Sequence, residues 1–187
     1  MVPFCDEPCN FVGEFKVGDN LSHNSLILEA LVESNRDGNL NKPIVLQVSS
    51  MLEACLQQIV YRAQNFNREG VPKMSEADQK SIAGKRIDKF ALVIDILRKY
   101  EVLGSRDHPV YEQMHFLRRL RNRIHIQECV SGLPNNDDAI LFSERYVKCA
   151  LGWLRWTVCY LNKELARPQH IQGYVANLRV PAEIPKI

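Results

Sequence analysis

The sequence predicts an all-α protein: an antiparallel four-helix bundle with a short extra N-terminal helix and an extended C-terminal tail. Three observations predict it. Long stretches repeat apolar residues at intervals of three and four, the spacing of one helix face. Proline, glycine and capping residues punctuate the gaps between those stretches. No strand series, internal repeat or low-complexity segment competes with the helical pattern.

Residues 1–42 read as an arm followed by a short helix. Pro3, Pro8, Gly13 and Gly18 leave positions 1–23 irregular or briefly extended. Ser25 to Ser34 carries the short helix, and Gly38 marks a turn. Residues 43–165 hold the bundle. Pro43 suits a first helical turn. Ile44, Val48, Met51, Leu52, Cys55, Ile59, Ala63 and Phe66 then keep helical spacing to about Asn67. Arg62 lies in phase with that stripe, and its head is expected to reach water at the helix end. Gly70 and Pro72 break the chain, and Ser75 with Asp78 forms a capping box. A second long helix is expected through Ile82 or Ala83, Ile87, Phe90, Ile94 and Leu97, with Gly104 as terminator. Asp107-His108-Pro109 starts a third helix, expected to run to Ile126 or Glu128. Gly132 to Asp138 is a loop. A fourth helix follows, with Ala150, Leu151, Leu154, Val158, Leu161 and Leu165 on its apolar face. Residues 166–187 hold Pro168, Pro181 and Pro185 and form the tail. Within it, positions 173–180 suit a short strand, packing along the bundle, or contact with a second subunit.

The 187 residues suffice for one domain with a real core. Apolar residues make up 45% and charged residues 25%, ordinary globular values, so disorder is not expected. A net charge of +2 excludes a general attraction to nucleic acid or membrane, so any basic site must be local. Apolar runs such as Phe90 to Leu97 are too short to span a bilayer, and the N-terminus lacks a signal-peptide pattern. A cytoplasmic protein with reduced thiols is expected. Cys5, Cys9 and His23 lack a fourth ligand and the tighter zinc spacing, so neither metal nor cofactor is expected.

The chemistry concentrates in Phe116 to Ile126, F-L-R-R-L-R-N-R-I-H-I. With Leu117 at zero and about 100° per residue, Val110, Met114, Leu120 and Ile124 fall within about 60° and form the buried stripe. Arg119 and Arg123 point toward solvent. Arg121 lies inside the stripe at about 40°, with His125 at about 80° and Arg118 and Asn122 flanking them. A charge on an apolar face needs a carboxylate, a carbonyl cluster, a subunit contact or an anionic ligand. Glu53, at the edge of its own helix stripe, is one available carboxylate, and a solvated state is the simpler expectation for it. His108, His115 and His170 read as structural or solvent histidines, with His115 on the exposed face.

Guanidinium groups match phosphate oxygens, and an imidazole moves protons at neutral pH. Arg118, Arg121, Asn122 and His125 thus suit metal-free RNA cleavage, with a second histidine supplied by a dimer; the pattern alone suits better salt bridges from the arginines to acidic residues on neighbouring helices, with His125 a satisfied histidine at the bundle edge. These residues resemble the motif of the HEPN-domain family (higher eukaryotes and prokaryotes nucleotide-binding), and the resemblance covers roughly residues 43–165. The family is an all-α bundle with an arginine, often followed by a polar residue, and a histidine beyond it with four to six residues between. Arg121-Asn122 matches the arginine and polar pair, and His125 the histidine. Three residues separate Arg121 from His125; five separate Arg119 from it, and six Arg118. Helical phase favours Arg121, the family count Arg119.

The resemblance implies a homodimeric, metal-independent endoribonuclease of toxin–antitoxin or defence systems, with RNA as substrate and an antitoxin or other defence protein as partner. Arg121, His125 and Asn122 would be catalytic, and Arg118, Arg119 and Arg123 would bind substrate. The alternative within the same resemblance is a non-catalytic dimerisation or nucleotide-binding module.

Overall fold

In the computed structural model, which describes residues 2–66, 69–123, 137–172 and 175–183, the chain is largely helical with one small sheet. The elements run β1 (Phe4–Glu7), α1 (Phe15–Ser34), α2 (Asn41–Asn65), α3 (Glu76–Ile82), α4 (Phe90–Lys99), α5 (Pro109–Asn122), α6 (Asp138–Leu141), α7 (Glu144–Glu164), a 3-10 turn at Gln169–Ile171 and β2 (Leu178–Pro181).

Helix α2 is the centre of the core. Ile44, Val45, Leu52, Cys55, Leu56 and Ile59 on it have no exposed surface. Adjacent positions are buried, so more than one face is covered, as expected of a helix inside a core. Helices α1, α4, α5 and α7 all pack against it. By length and composition alone α2 could cross a membrane, a property the sequence pattern did not single out. Here its apolar faces are covered by the other helices.

A helix so enclosed must satisfy its polar side chains on its neighbours. Gln57 donates to the Ile87 carbonyl at 2.8 Å, and Gln64 to the carbonyls of Ile82 and Lys85 at 2.9 and 2.8 Å. Gln58 accepts from the backbone N–H groups of Gly13 and Glu14, both at 3.1 Å, and donates to the Glu14 carboxylate at 2.7 Å. Ser49 reaches the Leu117 carbonyl of α5 at 3.3 Å. Arg62 is 4% exposed and donates to the Leu165 carbonyl at 2.7 Å, so its head turns inward and not to water.

These bonds explain two departures from the sequence pattern. The expected second long helix is two, α3 and α4, separated at positions 83–89. The apolar step from Ile82 to Ile87 is five residues, too long for one stripe, and Gln57 and Gln64 satisfy the carbonyls released at the break. Likewise, the N-terminal helix is not short, and the arm before it takes the briefly extended form at Phe4–Glu7. The helix begins at Phe15, and its N-cap residue Glu14 uses no side chain of its own; Gln58 receives the backbone donors there.

The Ser75–Asp78 capping box forms as expected, and His108 caps α5 by accepting from Val110 N–H at 3.2 Å, with Pro109 in the first turn. Helix α5 ends at Asn122, short of the expected 126–128. The tail folds back on its own chain. Strand β2 pairs antiparallel with β1, Phe4 opposite Pro181 and Glu7 opposite Leu178. Arg179 grips the Glu29 carboxylate of α1 through two bonds of 2.8 and 2.6 Å.

Gly18 lets the tail sit close. A Cβ there would lie 2.3 Å from a Val175 methyl carbon. Gly18→Ala is expected to lower unfolding free energy by about 1–3 kcal/mol, the range for overpacking. Val175→Ala in the same chain should recover part of that loss. Strictly additive effects in a denaturant double-mutant cycle would contradict the contact.

Candidate functional site

The basic segment occupies the last two turns of α5, which Ser49 and Glu53 hold against α2. Val110, Met114, Leu117 and Leu120 are buried below, as the phase predicts. On the same helical count, Arg118, Asn122, His115 and Arg119 fall at about 100°, 140°, 160° and 200°. They form the outer crest of the helix. Ile124 and His125 lie outside the described residues.

The four arginines have different surroundings. Arg121 turns inward, as its phase requires. It pairs with Glu53 of α2, and its guanidinium carbon lies 5.7 Å from the Phe90 ring centre. Glu53 is therefore an ion-pair partner, not a solvated glutamate. Burial pulls the Arg121 pKa down, yet an arginine stays charged at any physiological pH.

Arg123 was expected in solvent and is instead 4% exposed. Its Nε donates to the Asp138 carboxylate at 3.0 Å. Lys42 Nζ meets the other Asp138 oxygen at 2.7 Å. The Lys42 bond, followed by that from Arg123, holds the Asp138 carboxyl below the usual carboxylate range. Helical phase does turn Arg123 away from α2; the first residue of α6 covers it there. It is a structural tie between α5, α2 and α6.

Arg118 and Arg119 are half-buried, and among the described residues neither forms an ion pair. The Nε of each is shielded from solvent and has no hydrogen-bond partner. Arg119 is thus not the fully solvated side chain its phase suggested. Asn122 is exposed.

His115 differs most from its expected role. It is neither solvent-exposed nor without a partner, because α4 rises beside it. Its Nε2 lies 3.2 Å from Asp95 Oδ1, and its side chain is 15% exposed. Burial lowers its pKa, Asp95 opposes that shift, and Arg118 adds to it. The sequence carried a signal for this placement: His115, Arg118, Arg119 and Asn122 are spaced i, i+3, i+4, i+7. The carboxylate came from another helix and carried no such signal. His108 is the N-cap of α5 and stacks on Trp156, with ring centres 5.4 Å apart.

Of the N-terminal thiols, Cys9 is buried, and Cys5 accepts a hydrogen bond from Arg155 at 2.9 Å. Among the described residues, no three His, Cys, Asp or Glu side chains converge as a possible metal site.

The crest therefore sets one oriented imidazole beside two guanidinium groups that have no carboxylate of their own among the described residues. Such a strip can grip an anion with two negative oxygens and offer it a proton acceptor. Compared with family models, curated proteins and solved structures, the chain matches none.

The inward arginine gives a direct test of this division. Glu53→Gln is expected to lower unfolding free energy by about 1–2 kcal/mol, between the values for exposed and buried ion pairs. A cycle with Arg121→Met should give a coupling of about 1 kcal/mol. Zero coupling in thermal or denaturant melts would contradict the Glu53–Arg121 pair.

Proposed function

We propose that the chain is a HEPN-like RNA-binding protein that cleaves RNA endonucleolytically without a metal ion, acting as a cytoplasmic homodimer in a defence or toxin–antitoxin setting. The reading takes α2, α4, α5 and α7 as an antiparallel four-helix bundle of the HEPN kind, with α1 alongside. One observation carries it. Arg118 and Arg119 lie half-buried on the outer crest of α5, and among the described residues neither forms an ion pair. An RNA phosphate would pair with the outer guanidinium nitrogens of these arginines, which the buried Nε atoms leave facing outward.

On this reading the phosphate-gripping arginines are Arg118 and Arg119, in keeping with the family count. Arg121 is assigned to scaffolding by its pair with Glu53, and Arg123 by its bond to Asp138. Asn122 contributes an exposed amide to the same surface. His125 keeps the role the motif gives it, a proton-transfer group that a second copy duplicates.

A second reading has its own observation. Carboxylates engage two of the four motif arginines, which suits a module that binds RNA or a nucleotide without cutting it.

A labelled single-stranded RNA in EDTA separates these readings. The expected result is binding and cleavage by the wild type, with cleavage lost in His125→Ala. Arg118→Ala/Arg119→Ala should weaken binding and lower the slope of log K against log salt by about 0.7, from the one phosphate that the pair no longer neutralises on a single strand. Binding without cleavage would favour the second reading. No binding by the wild type would overturn both.

A further inference from the structure

A base that takes a proton from a ribose hydroxyl needs three properties. It must be neutral at working pH, oriented, and beside the group that holds the phosphate. His115 meets these conditions on the described surface. It projects from the crest of α5 one turn before Arg118 and Arg119. Asp95, reaching over from α4, lies 3.2 Å from its Nε2. A carboxylate there fixes the tautomer with the proton on Nε2 and leaves Nδ1 as the acceptor.

The groups facing the imidazole are few. Asp95 comes from α4, and Glu112 and Arg118 come from its own helix. Glu112 is held by Arg98 at 2.6 Å. Burial, the largest influence, keeps His115 below the usual histidine range and therefore neutral at pH 7.

We infer that His115, oriented by Asp95, is the general base that takes the 2′-hydroxyl proton of a single-stranded RNA whose phosphate sits on Arg118 and Arg119. The inference rests on the proposed RNA-cleaving role of this surface. The proton passes from O2′ to His115 Nδ1. The bond between O2′ and phosphorus forms as the bond between phosphorus and O5′ breaks. His125, the proton-transfer group of the motif, gives its proton to the leaving 5′-oxygen, and solvent carries the proton taken by His115 back to it. Arg118 and Arg119 stabilise the added charge on the phosphoryl oxygens. The products are a 2′,3′-cyclic phosphate and a 5′-hydroxyl. A single strand is the substrate class because the attacking and leaving oxygens must come into line, which the regular A-form helix resists. Asp95 is a positioning residue, since it acts only through the imidazole.

The test uses wild type, His115→Gln and Asp95→Asn on a labelled single-stranded RNA in EDTA, from about pH 5 to 8. Melting curves and RNA affinity are measured on the same preparations. His115→Gln is expected to cleave about 100-fold more slowly or worse, with RNA affinity unchanged. Asp95→Asn should move the acid limb of the rate profile to lower pH. Removing the carboxylate withdraws a charge that favours the imidazolium, so His115 stays neutral further into acid. This second variant keeps the inference testable should His115→Gln fail to fold. Wild-type rates in a folded His115→Gln, or an unmoved limb in Asp95→Asn, would overturn the assignment and leave the proposed function standing. No cleavage by the wild type would overturn both.

Discussion

Enclosure of α2 is the constraint from which the rest follows. Water cannot satisfy the polar groups of a helix buried on several sides, so neighbouring elements must. Gln58 receives the start of α1, Gln57 and Gln64 receive the broken backbone between α3 and α4, and Arg62 receives the end of α7. Ser49 and Glu53 receive α5. The apolar faces press the helices together without direction. The polar side chains of α2 then fix where each neighbour begins, breaks or ends.

The same constraint sorts the arginines of α5. The side chain facing α2 must be neutralised, and Glu53 does this for Arg121. The side chain facing the incoming α6 must be neutralised as well, and Asp138 does this for Arg123 while also holding Lys42. What remains outward is a pair of arginines without carboxylates and a histidine with one. Whatever function the helix performs, the core has decided which cations are available for it.

Much of this fold was legible in the sequence because its signals are local. The apolar spacing of α2, the Ser75–Asp78 box and the His108-Pro109 start lie within a few residues of the elements they define. The strand in the tail was legible as one of several options. Its partner β1 was legible only as a briefly extended arm, since Phe4–Glu7 is too short to show a pairing pattern. The start of α1 was hidden for a different reason: a glutamine far along the chain holds the backbone just before it, and Gly18, which reads as a breaker, serves close packing against Val175. At the candidate site, helical phase placed Leu117, Leu120 and Arg121 correctly. It misplaced Arg123 and His115, because Asp138 and Asp95 come from other elements that cover the outer faces of α5. A single helix can be read from its own residues; its cover cannot.

The division of the arginines is open to direct observation. In a protein labelled with nitrogen-15, the Nε–Hε resonances of Arg118, Arg119, Arg121 and Arg123 can be followed while a 2′-O-methyl RNA, which binds without being cut, is added. The account predicts that Arg118 and Arg119 shift with the RNA, while Arg121 and Arg123, already bound to carboxylates, hold their positions. Movement of Arg121 and Arg123 with Arg118 and Arg119 unmoved would contradict it.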